Sequence, residues 1–223
     1  MPVTEASILP STKPGEIPKV LLDLGISGIT LQGEWCATHA PWLTKDRGAA
    51  LFQQIEDPGV ALITAHWDSV EQHHECVASP ANQKLNIELV PHIDVTKMKP
   101  GHLDGSYLFP AAEDGEGLVS AVKAPVLSVM RWAVARENKD QFGEALSKVK
   151  GTLDTLTTPY RHRGGWKIEK DGGENIEQYF IIGGLENEEK GASITEAEGY
   201  DGYYKALSSL ALGAETKHYK RIA

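Results

Sequence analysis

The sequence predicts an α+β protein made of two β-α-β-β-α-β halves whose sheets pack against each other within one chain. Three observations carry this expectation. Residues 55–80 (IEDPGVALITAHWDSVEQHHECVASP) and 173–200 (GENIEQYFIIGGLENEEKGASITEAEGY) repeat one pattern. Each has an acidic turn, an apolar strand, an aromatic or Leu followed by an acid and a polar cap, and then a Glu-bearing helix. The same order of elements is legible around both copies. Finally, the segments 60–65 (VALITA) and 179–184 (YFIIGG) are apolar on both faces. A sheet wetted on one side alternates, so these strands are expected to be covered by helices on one face and by the other half's sheet on the other.

In the first half, the alternating segment 3–9 ends at Pro10 and suits a strand. Pro18 stands near the start of a helix carrying Ile17, Val20, Leu21 and Leu24, and Gly25 and Gly28 are expected to loosen its second part. An aromatic loop follows, containing Trp35, His39 and Trp42. Residues 49–55 and 60–67 read as strands joined by the turn Glu56-Asp57-Pro58-Gly59. Ser69, with Gln72 three residues later, has the form of a capping box opening a helix. Residues 87–95 are expected to form the last strand of this half. In the second half, 126–134 reads as a strand and Asn138 as the cap of a helix with Phe142, Ala145, Leu146, Val149 and Leu153 on its apolar face. Strands are expected at 165–170 and 178–185, a helical region to about residue 210, and a final strand at 214–222. The halves are thus placed at 1–98 and 126–223. The Gly-, Pro- and acid-rich segment 99–125 is expected to be a linker.

Among its 223 residues, 41% are hydrophobic and 24% charged, which suits a globular protein. No apolar run approaches the roughly 18 residues needed to span a bilayer. The first ten residues, MPVTEASILP, lack the basic start and apolar core of a secretory signal, so cytoplasmic residence is expected. A formal net charge of -9 argues against nucleic acid and anionic membrane surfaces as partners. Cys36 and Cys76 have no metal or redox spacing and read as buried thiols.

The run Trp67-Asp68-Ser69-Val70-Glu71, followed by a helix and Ala78-Ser79-Pro80, resembles the third-strand and second-helix signature of dimeric α/β-barrel proteins. Within that group it is most similar to the antibiotic-biosynthesis-monooxygenase-like (ABM) and EthD-like domains, in a tandem-fused form like that of fungal secondary-metabolism members. The resemblance implies two ferredoxin-like halves forming an intrachain dimeric α/β barrel. It also implies a cofactor-independent step on a small hydrophobic aromatic or polyketide-type substrate: monooxygenation, or proton-transfer chemistry such as cyclisation or dehydration. Non-catalytic ligand binding, a stress-response role and haem binding are the alternatives the same fold carries. Against a plant polyketide cyclase of this fold, that enzyme's catalytic Tyr and His fall on Cys76 and Asn82, so its mechanism is not carried over.

The histidines gather in the first half. His73 and His74 lie on the helix stripe expected to face the sheet, where a ring could act as general base; packing there is the plainer role. His66 ends a strand beside Trp67, and His92 is expected in the neighbouring strand, where the two could orient a substrate. No His-x-x-x-His or His-Glu-x-x-His spacing supports a metal, and no Gly-rich loop supports a nucleotide or flavin, so no cofactor is expected. Trp35, His39, Trp42 and Trp67 in the first half, and Tyr160, His162 and Trp166 in the second, form rims suited to a flat ligand, or simply seal the sheet ends. Arg161 and Arg163 beside His162 would favour an anionic group. The first half, richer in His, is expected to hold the working pocket, and the outer helices are the surface expected for any homo-oligomer.

Overall fold

The computed structural model describes residues 1–40, 49–104, 119–170 and 173–223; Trp42 lies outside them. The first half contains β1 (Val3–Pro10), α1 (Lys19–His39), β2 (Ala50–Gln54), β3 (Val60–Trp67), α2 (Val70–Ala78), α3 (Pro80–Leu89) and β4 (His102–Asp104). After β5 (Val119–Ser120), the second half contains β6 (Val126–Ala135), α4 (Lys139–Thr157), β7 (Tyr160–Arg161), β8 (Arg163–Trp166), β9 (Ile176–Leu185), α5 (Glu188–Ser193), α6 (Tyr200–Ser208) and β10 (Ala211–Arg221).

One eight-stranded sheet runs β4-β1-β3-β2-β10-β6-β9-β8. Within each half the spatial order is fourth, first, third, second, the arrangement of a ferredoxin-like unit. The halves join edge to edge at β2–β10, where Tyr219 pairs with Gln54. At the other end Leu103 bridges Lys167, and His102 O accepts from Ile168 N at 2.8 Å. Ile55 N donates to His218 O at 2.8 Å at the first seam, the same bond in the equivalent place. The sheet therefore closes into a barrel, and among the described residues neither of its end strands is left unpaired. Alternation divides the side chains. Ala6, Phe52, Leu62, Leu103, Leu127, Phe180, Ile182 and Tyr219 fill the lumen from both halves, whereas Val3, Trp67 and Leu9 face the first half's helices and Met130, Trp132 and Ile181 those of the second. Among the described residues no helix is long and apolar enough to cross a membrane.

Four local expectations are corrected. Residues 87–95 are not a strand: Ser79 Oγ accepts from Asn82 N, Pro80 opens α3, and the chain stays helical through His92. The fourth strand of the first half is instead His102–Asp104, paired with Val3–Glu5. The aromatic loop begins later than expected, because α1 runs unbroken to His39 and carries Trp35 and His39 itself. Gly25 and Gly28 do not loosen α1. A Cβ at Gly25 would stand 3.0 Å from Leu51 Cδ2, and one at Gly28 3.2 Å from Leu85 Cδ2, so both glycines let the helix lie close to its neighbours. Asn138 makes no cap bond; its amide donates to Leu210 O at 3.2 Å. Ser69 caps α2 as expected, accepting from Gln72 N at 3.2 Å, and the Gln72 side chain reaches back to Asp68 N rather than to Ser69.

Candidate active site in the second half

A cavity of about 120 Å³ lies between the outer face of the second half's sheet and its helices. Ser128, Met130, Ile181, Gly183, Thr216 and His218 form its floor; α4 contributes Leu153 and Thr157, and α6 contributes Tyr200 and Tyr203. An engineered apolar cavity of roughly 150 Å³ admits one benzene, so this space is the size of a single ring.

Two imidazoles reach it. His162 is buried, with Asp154 Oδ1 3.1 Å from its Nδ1, close enough for a charge pair but off the line of a hydrogen bond. His218 is held more firmly, by a carboxylate from the other half. Glu56 Oε1 lies 2.8 Å from His218 Nδ1 and accepts from the His218 backbone amide at 3.0 Å. Burial pushes the Glu56 carboxyl up, but bonds from its own amide and from the His218 ring and amide outweigh this and leave it below the usual carboxylate range. A charged Glu56 fixes the His218 proton on Nδ1. Nε2 is then a lone-pair acceptor, inaccessible to bulk water and without a hydrogen-bond partner among the described residues, on the wall of the cavity. That is the geometry of a general base awaiting a proton. Tyr203 is buried with its hydroxyl on Met130 Sδ at 3.6 Å, and burial pushes its phenol up, as it does that of Tyr200. Both phenols therefore remain protonated and serve as donors, not bases.

The first half contains the same dyad. His102 occupies on β4 the place of His218 on β10, since Glu5 pairs with both Ala65 and His102, as Ser128 pairs with Gly183 and His218. Glu169 occupies the place of Glu56, after the second strand of the opposite half. Its Oε2 accepts from the His102 amide at 2.9 Å and its Oε1 lies 2.5 Å from His102 Nδ1. Here, however, Nε2 is occupied: His73 Nδ1 stands 2.7 Å away. His73 stacks on Trp67 at 4.6 Å, its Nε2 lies 3.3 Å from Glu5 Oε2, and Glu5 also accepts from Trp67 Nε1 at 3.0 Å. Burial lowers the His73 pKa, with Glu5 opposing it. With His73 neutral, Glu169, His102, His73 and Glu5 form one continuous chain of polar contacts.

The histidines expected to act together are thus dispersed. His73 is in the buried chain just described; His74 is exposed beside it, its ring edge-on to His102 at 6.0 Å. His66 pairs with Thr4 and shares the parity of Leu62, so it points into the barrel lumen, on the other face of the sheet. His92 sits in a short 3-10 turn whose neighbour Ile93 bridges Ser11, six residues along the chain from Glu5. At about 3.3 Å per residue that is some 20 Å away. Of the expected rim residues that are described, only His162 lines the cavity. Trp35 stacks on His39 at 4.3 Å and leans on Trp67. Trp166 packs edge-on against Tyr179 at 4.9 Å under Lys139, and Tyr160 lies against Gly184. The functional residues missed were Glu56, His218, Glu169 and His102. Their trace in the sequence is the pair Gln54-Ile55-Glu56 and Lys167-Ile168-Glu169, and a His before an apolar residue in each fourth strand.

No protein-family model matches the sequence, and no curated protein matches it. Solved structures do match in three dimensions. An anthrone oxidase-like protein superposes with a TM-score of 0.63 at 10% identity, covering 100% of this chain and 92% of its own. A proposed monooxygenase of Lactobacillus acidophilus NCFM gives 0.59 at 13%, covering 99% and 93%. A heme-binding protein of Thermus thermophilus gives 0.51 at 9%, covering 100% and 92%. The fold is that of the dimeric α/β barrel. At these identities the likeness extends to architecture and no further.

Proposed function

We propose that the second half holds the working site, and that His218, oriented by Glu56, removes a proton from a small phenolic or enolisable ring bound in the cavity without a cofactor. The observation that carries this is the buried, unengaged Nε2 of His218, backed by a carboxylate and facing a ring-sized apolar space. Abstraction at a ring carbon or hydroxyl leaves an enolate or phenolate in a cavity that Tyr200 and Tyr203 line. With dioxygen as co-substrate, the enolate carbon is oxidised. His218 breaks the first C–H bond and a C–O bond forms to dioxygen; the His218 proton returns to the peroxide, the second C–H proton then leaves as the O–O bond breaks, and CH₂ plus O₂ becomes C=O plus H₂O. The neighbours named for anthrone oxidase and monooxygenase make oxygenation the first chemistry to assay. A fused polyketide exceeds the cavity, so only one ring of such a substrate would enter, and a tetrapyrrole is larger still.

The test is oxygen uptake with a panel of single-ring and fused phenols and enolisable ketones. His218→Asn should lower kcat/KM by about 10²- to 10⁴-fold, the usual contribution of a general base, while a bound phenol is retained. His74→Ala should leave the rate unchanged. Full activity in His218→Asn would remove the proposal.

A further inference from the structure

The two halves carry the same His–carboxylate pair; that of the second half lines a cavity, that of the first meets His73, and a single position accounts for the difference. Ser69 caps α2 and accepts from Gln72 N, three residues on; Asn187 caps α5 and accepts from Lys190 N, also three residues on. The next residue is His73 in the first half and Gly191 in the second. The strands before these caps are in matched register: Trp67 pairs with Val3 as Leu185 pairs with Val126. A Cβ added at Gly191 would meet His218 Cδ2 and Nε2 at 3.2 Å and Leu185 Cδ1 at 3.1 Å. A side chain at that position is therefore aimed at the imidazole of the fourth strand. In the first half it is an imidazole, and it reaches His102 Nε2 at 2.7 Å.

We infer that the first half contains a second copy of the ligand site, closed by His73, whose ring stands in for the ligand that the second half takes from outside. The inference rests on reading the second-half cavity as a binding site, and it adds the ligand's pose. His73 is a planar ring, stacked 4.6 Å from Trp67, with a polar atom on His102 Nε2 and its opposite edge on Glu5. The equivalent ligand is a planar ring lying over Gly191 between Leu185 and Tyr200, with a hydroxyl or ring N–H on His218 Nε2. Its far edge is beside Ser128, the counterpart of Glu5. Where the first half offers a carboxylate at that edge, the second offers a neutral hydroxyl, which selects an uncharged or hydroxylated ring over a cationic one.

Phenol and imidazole are the probes, because neither requires the natural substrate. By calorimetry the wild-type protein should bind one phenol, and His73→Gly should bind two. Added imidazole should raise the melting temperature of His73→Gly by several degrees more than that of wild type. Gly191→His should fold with unchanged circular dichroism and bind no phenol, and the double variant should bind one. A folded His73→Gly that binds no additional ring, or a Gly191→His that binds phenol as wild type does, would overturn the inference. Should His73→Gly fail to fold, the Gly191→His outcome alone decides. The binding readouts are stoichiometries, so full activity in His218→Asn with the stoichiometries intact would sink the proposed reaction and leave the paired sites standing.

Discussion

At the scale of single residues, the protein places a carboxylate from the opposite half on each fourth-strand histidine. Where the chain leaves a buried carboxylate, it surrounds it: Glu177, 4% exposed, accepts from Lys170 at 2.5 Å and from Arg136 at 3.2 Å, with Lys139 at 3.5 Å, and the Lys170 bond first among these holds it below the usual range. His73 is the opposite case, a buried base held neutral. The unfolded chain titrates near pH 6.5, above the folded value, so the unfolded state binds more protons as pH falls. The stability associated with His73 is complete above about pH 6.5, is lost as pH drops below it, and levels off beneath the folded pKa. Urea unfolding from pH 7 to 5 should show this loss, with a slope of at most about 1.4 kcal/mol per pH unit for one group. His73→Asn should flatten it, with Glu5, His102, His74 and Glu169 the charged and titratable groups around the ring. An unaltered slope in that variant would place the proton elsewhere. The carboxylates Glu56, Glu169 and Glu177, held low, weaken the fold only at more acid pH, near and below 4.5.

At the scale of elements, what was legible in the sequence was what local chemistry decides. The Ser69–Gln72 cap, the amphipathic α4 and the two apolar third strands follow from side-chain spacing alone. The misassigned strand at 87–95 shows where spacing misleads. Ile87, Leu89, Ile93 and Val95 alternate acceptably, yet Ile87 and Val95 are exposed, and Ser79-Pro80 begins a helix that absorbs the segment. Pro80, just past the end of α2, is the first position of the next helix. In α1, two glycines looked like breaks because what they accommodate, Leu51 and Leu85, arrives from other elements. This is testable by contrast within one helix. Gly25→Leu should cost about 1–3 kcal/mol through crowding against Leu51. Gly33→Ala, where a Cβ meets nothing within 4 Å, should stabilise by roughly 0.5–1 kcal/mol. Equal effects at both sites in thermal unfolding would refute the packing explanation of Gly25.

At the scale of the whole molecule, the candidate site was illegible because it exists only after the barrel closes. Glu56 and His218 are 162 residues apart in sequence and meet across the β2–β10 seam; His102 and Glu169 meet across the other. No motif search joins them, and the cluster of histidines in the first half drew attention to the closed copy rather than the open one. Because both seams tie backbone to backbone and the lumen is filled from both halves, the molecule should unfold as one unit. Substitutions in either half, such as Phe52→Ala or Phe180→Ala, should move a single calorimetric transition; two separable transitions would show that the halves are independent. The most direct examination of the central claim is a crystal structure with phenol soaked in. The account predicts one ring in the second half, over Gly191, with its oxygen about 3 Å from His218 Nε2. A ring bound elsewhere while that cavity stays empty, or a His218 turned away from Glu56, would contradict it.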